Sequence, residues 1–235
     1  MDTILKIILF PSAAGFPIII GGLISYFSRK KTNIEKSDIP RWITAFAGGS
    51  LFSAIAFALV PRALEDIRIP ALSIIFLSGT FSFMILDIII ARSGSSAGMV
   101  LSMMMDFLPE ALALGASFAR DPKFGLLLAV FIGLQNLPEG FSSYPELAKM
   151  KKPKTVLRIM FALSFTGIFS ALTGYALLRN HPVLIAGIML YAAGGILYLI
   201  FQDVAPKTYK PNDWIPATGG SLGFLLGLIG EKIML

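Results

Sequence analysis

The 235-residue chain has no cysteine, a single histidine (His181) and only 14% charged residues. Without thiols it excludes disulfide scaffolds, thiolate metal sites, cysteine nucleophiles and iron–sulfur clusters. One histidine cannot supply an imidazole-based metal centre, and it leaves almost nothing for histidine catalysis. The scarcity of charge, set against 55% hydrophobic residues and a mean hydropathy of +0.77, excludes a water-soluble globule and places the chain in a bilayer. The pI of about 9.6 is not a nucleic-acid signal, because the basic residues sit in short connections between apolar runs rather than on one folded surface.

A hydrocarbon core of about 30 Å needs about 20 apolar residues per helix. About eight segments qualify, at 4–27, 42–64, 71–91, 99–118, 124–147, 156–178, 183–205 and 216–235. The expectation is an all-α integral membrane protein, one transmembrane domain over residues 1–235 with the lipid bilayer as its solvent. The first segment is long, contains Pro11 and Pro17 and lacks a small-residue cleavage pattern, so it is expected to be a retained helix.

Lysine and arginine divide unequally between the two ends. The first connection carries Arg29, Lys30, Lys31, Lys36 and Arg41, and the fifth carries Lys149, Lys151, Lys152, Lys154 and Arg158. With Arg92 from the third and Lys207 and Lys210 from the seventh, thirteen of the twenty basic residues fall on one face. Positive loops stay inside, so the odd connections are expected in the cytoplasm and both termini outside. A multi-pass protein of the plasma membrane is the corresponding localisation.

Asp87, Asp106, Glu110, Glu139 and Asp203 lie within the apolar segments, with no Lys or Arg at comparable depth. An aspartate at mid-bilayer costs roughly 2.5–3.5 kcal/mol on the insertion scale, so such a set must face a polar interior and be neutralised by protons or cations. Asp106 and Glu110 are four residues apart on the fourth segment, and Gln135 and Glu139 are four apart on the fifth, so each pair shares a helix face. In both frames proline precedes the glutamate, Pro109 and Pro138, which frees the carbonyls of Met105 and Leu134. The turn near residues 120–123 makes the two helices antiparallel neighbours. Measured from it, the two pairs differ in depth by only about 3 Å. Convergence of interrupted helices at the midplane is how a transporter substrate site is built. Gln135, Glu139, Ser142 and Glu146 continue as one stripe toward the cytoplasmic end, an exit path by its position. Glu65 and Asp66 lie toward the other face.

These residues resemble the ZIP (Zrt/Irt-like protein) family of divalent-metal transporters. The fourth segment is similar to the family motif through Asp106, Pro109 and Glu110, and the fifth through Gln135, Asn136, Pro138, Glu139 and Gly140. Ala47-Gly48-Gly49-Ser50-Leu51 looks like the family's second helix, and Gln202-Asp203-Val204-Ala205-Pro206 like its seventh. The resemblance implies eight helices, extracytoplasmic termini, uptake into the cytoplasm and a metal site of Asp106, Glu110, Gln135 and Glu139, with Asn136 as accessory ligand and Ser50 as a marginal one. Asp106 stands where the family usually has histidine, Phe107 where it often has asparagine and Ala111 where it has glycine. The sixth segment lacks the acid that completes a second metal in some members. The histidine-rich loop before the fourth helix is absent from the short connection 92–98.

Three carboxylates and an amide make an all-oxygen site, which admits zinc, manganese, ferrous iron, cadmium or magnesium. The metal is substrate, and no cofactor is expected. A divalent ion on three carboxylates leaves a net charge of about −1 unless a proton is held, so affinity should fall with acid. The alternatives are a proton- or sodium-coupled cation exchanger and, further off, an intramembrane hydrolase, for which Asp87 and Asp106 lack a protease frame. Asp87 reads equally as an interfacial residue, Asp203 as an exit ligand or a solvated helix end, Met103 to Met105 as packing and His181 as exposed. Gly223 and Gly227 have the G-x-x-x-G spacing by which membrane helices pair. It serves close packing most simply and a homodimer alternatively.

Overall fold

The computed structural model describes residues 3–31, 34, 37–118 and 121–234, and the regular structure among them is entirely helical. Lys36, Arg120 and Leu235, which the sequence reading uses in the first connection, the fourth connection and the last segment, lie outside the described residues. The helices are α1 (Thr3–Lys31), α2 (Ile39–Asp66), α3 (Ile69–Ser93), α4 (Ser96–Phe118), α5 (Pro122–Ala148), α6 (Pro153–Leu178), α7 (Pro182–Thr208) and α8 (Ile215–Met234). The first seven are long and apolar enough to cross a membrane. The expected all-α membrane architecture is therefore what the chain adopts.

Proline opens α2, α3, α5, α6 and α7, where the lost N–H would have had no intrahelical partner. Of the prolines inside long helices, Pro61 and Pro206 are each preceded by a wider turn. In α2 a π turn over Ile55–Leu59 precedes Pro61, with the Val60 N–H donating to Ile55 O. In α7 a π turn over Ile200–Val204 precedes Pro206, with the Ala205 N–H donating to Ile200 O. Because α7 survives its proline, Lys207 belongs to the last turn of a helix and not to the connection in which its charge is counted for topology.

The eight helices pack as two sets. α1, α4, α5 and α6 lie against one another, α2, α3, α7 and α8 form the second set, and α2 meets α5 where the sets join. Within each set the backbones approach so closely that only glycine fits. A Cβ on Gly140 would lie 2.1 Å from Ile18 O, and one on Gly21 2.0 Å from Leu137 O, across the α1/α5 seam. A Cβ on Gly115 would lie 1.9 Å from Ala171 O across α4/α6, and one on Gly79 1.9 Å from Tyr191 O across α3/α7. Among the described residues, glycines pressed against a neighbouring backbone all lie inside a set. Contact between the sets runs through side chains, such as Thr44 Oγ1 and Ser142 Oγ at 3.0 Å. Gly223 faces Phe46 O and Gly227 faces Ser53, both on α2. The G-x-x-x-G spacing is thus taken up inside the chain, which removes it as a motif for a homodimer.

Candidate metal site and its access cavity

α4 and α5 run as uninterrupted helices through Pro109 and Pro138, which keeps each four-residue pair on one face. Glu110 and Gln135 are fully buried, and Gln135 Nε2 donates a hydrogen bond to Glu110 Oε2, joining α4 to α5. The other oxygens of the two groups, Glu110 Oε1 and Gln135 Oε1, are buried with no hydrogen-bond partner. Two orphaned acceptors on adjoining residues are costly in an apolar interior. Asp106, one turn along α4, is 7% exposed, and its Oδ1 accepts the Phe107 N–H at 2.9 Å. Glu139, one turn along α5, is half-buried. Among the described residues no three acidic or histidine side chains are gathered closely enough to hold an ion. The direct contact in this conformation is Glu110 with Gln135, and Asp106 and Glu139 flank it. Such a place is rich in acceptors and poor in donors, which suits a cation and repels an anion.

A cavity of about 240 Å³ leads away from this junction. Asp106, Gln135 and Glu139 line its deep end, Ser142 and Ser143 its wall, and Glu146, Asp203 and Lys207 its mouth. The stripe Gln135, Glu139, Ser142 and Glu146 read from the sequence therefore faces one continuous space. Side-chain exposure reaches 39% at Glu146 and 53% at Asp203, so the cavity opens to the face of the odd connections. Toward the other face, Ala113, Leu114 and Phe118 of α4 and Leu128, Phe131 and Ile132 of α5 are all buried in one apolar cluster, which closes the way. Beyond that seal lies a separate pocket of about 400 Å³, lined among others by Arg62, Glu65, Asp66, Ser117 and Asp121.

The remaining candidates divide. Glu110 does not line the cavity but sits behind Gln135. Asn136 points elsewhere: its Nδ2 donates to Ala14 O of α1 at 2.7 Å, and it is not part of the cavity wall. One residue advances a helix by 100°, so Gln135 and Asn136 cannot share a face. Ser50 is buried with an unpartnered hydroxyl and is also outside the cavity. Asp87 Oδ2 accepts from Tyr198 OH at 3.0 Å and lines the cavity. His181 is exposed just before α7. Sequence reasoning missed Thr44, for which no signal existed, and Lys207. The ammonium of Lys207 lies 2.8 Å from Asp203 Oδ1 and 3.1 Å from Glu146 Oε1. Its four-residue spacing from Asp203 was the available clue.

No family model matches the chain. Over 135 residues it is 34% identical to a zinc transporter, GufA, of Myxococcus xanthus, an alignment covering 55% of this chain and 52% of that protein. The chain thus spans about half the length of the curated relative it matches, and it is similar over that half to a protein whose name gives zinc as its cargo.

Proposed function

We propose that this chain carries a divalent metal ion, zinc foremost, across a membrane, with Asp106, Glu110, Gln135 and Glu139 as its ligands. The observation that carries this reading is the pair of buried, unpartnered oxygens on Glu110 and Gln135 beside two further carboxylates. A cation satisfies all of them at once, and among the described residues no basic side chain does so. Zinc stands first because the similar Myxococcus protein is a zinc transporter. All four ligands are on α4 and α5, in the same helix set. Glycine seams hold each set rigid while side-chain contacts join the two, so alternating access is a displacement of the ligand-bearing set against the other. Asn136, in this reading, pins α5 to α1 and keeps Gln135 aimed at Glu110. The ion passes into the cytoplasm along Glu139, Ser142 and Glu146, in a plasma membrane with the odd connections inside and both termini outside. Translocation makes and breaks no covalent bond, so the protein is not an enzyme.

The test is flux of zinc, manganese, ferrous iron, cadmium and magnesium into proteoliposomes holding the parent, Glu110→Gln or Glu139→Gln. Each substitution keeps the side chain's size while removing a charged ligand, and the expected loss of flux is about tenfold or more. Equal flux in all three proteins refutes the site.

A further inference from the structure

An ion pair crosses from one helix set to the other at each end of the molecule. Lys207 of α7 meets Glu146 of α5 at the mouth of the open cavity, and that cavity is open with the pair made. Arg62 of α2 meets Asp121, at the start of α5, on the sealed face, with Nη2 2.6 Å from Oδ2. The second pair is the more constrained. The Arg62 guanidinium also lies 4.3 Å from the centroid of the Phe124 ring, and Asp121 Oδ1 accepts the Phe124 N–H at 3.0 Å as the cap of α5. One carboxylate thus anchors the N-terminus of the ligand-bearing helix with one oxygen and ties it to the opposite set with the other. Arg62, Asp121, Phe124 and Ser117 all line the outer pocket, directly over the apolar seal that ends at Phe118.

We infer that Arg62 and Asp121, backed by the Phe124 ring, form a latch that holds the site closed to the face of the even connections. Opening toward that face separates α2 from the start of α5, and the pair must break for this to happen. The inference rests on the proposed movement of one helix set against the other. It is independent of which ion is carried.

The natural absence of cysteine makes the latch directly measurable. A single cysteine in place of Ser117 reports the sealed face, and one in place of Ser102 reports the open cavity. Each is labelled by a charged, membrane-impermeant thiosulfonate added from the appropriate side of sealed vesicles, with no metal present. With the pair intact, Ser117→Cys is expected to react slowly and Ser102→Cys readily. Arg62→Gln should raise the Ser117→Cys rate, relative to that of Ser102→Cys, by about fivefold, from one exposed ion pair and one cation–π contact, and Asp121→Asn by about twofold, from the ion pair alone. Asparagine retains the helix cap, so its effect isolates the charge. Arg62→Lys should restore most of the closure, and the double variant should be no more open than Arg62→Gln alone, because the ion pair is already lost in that variant. Unchanged labelling in both single variants, or full additivity in the double, overturns the latch. Loss of ion flux in the parent would instead overturn the transport reading, and labelling without metal keeps the two failures apart.

Discussion

A methyl group added to α5 at Gly140 tests whether this helix, which carries two of the proposed ligands, is held by backbone contact. The new Cβ would lie 2.1 Å from Ile18 O, about 1.3 Å short of ordinary contact. Ile18 O belongs to helical backbone that no rotamer change can move, so α1 and α5 must separate by a comparable distance. Overpacking of this kind costs about 1–3 kcal/mol. Because Glu139 directly precedes Gly140, the separation also displaces this proposed ligand by about 1 Å, a scale on which ligand geometry is sensitive. Gly133, seven residues earlier on the same seam, is the control. Its Cβ would meet Ala14 Cα at 3.8 Å, which is ordinary contact, and alanine there gains up to about 1 kcal/mol of helix propensity. Thermal unfolding in detergent and zinc flux in proteoliposomes should therefore separate the two: Gly140→Ala lowers both, and Gly133→Ala leaves flux intact with equal or higher stability. If Gly140→Ala matched its parent in both measurements, the α1/α5 seam would not be what positions the ligand helix.

Asp106→His should shift preference toward zinc over manganese and magnesium, because imidazole is a softer ligand than carboxylate; competition flux in which the ratio does not move would remove the argument from oxygen ligands. Asp121 gives a pH signature outside the membrane spans. The Phe124 N–H, with Arg62 adding to it, holds the Asp121 carboxyl below its usual range. A depressed folded-state pKa contributes stability that is present above the unfolded value of about 3.9 and is lost as pH falls through the folded value. Asp121→Asn should therefore weaken the protein at neutral pH and lessen the further loss below about pH 4, measured by thermal unfolding across pH; parallel curves for the two proteins would refute it.

Local sequence determined the helices and the faces of each. Hydropathy placed the spans, prolines marked their starts, and four-residue spacing put Asp106 with Glu110 and Gln135 with Glu139. These patterns are readable because they repeat every 3.6 residues along one element and need no knowledge of its neighbours. The stripe from Gln135 to Glu146 was legible for the same reason, and the structure gives it a cavity to face.

Which face meets which neighbour was decided only by the tertiary structure. Asn136 stands beside Gln135 in the chain yet bonds α1, because a step of one residue turns the side chain away. Gln135 with Glu110, Arg62 with Asp121 and Lys207 with Glu146 join residues 25, 59 and 61 apart in sequence. No local period encodes such distances. They follow from the glycine seams that set which backbones touch, and those seams sort the helices into two sets. The sequence supplies the oxygens of the site and the small residues of the seams. Close packing selects which of those oxygens meet at Glu110 and Gln135, and which face of the protein the cavity reaches.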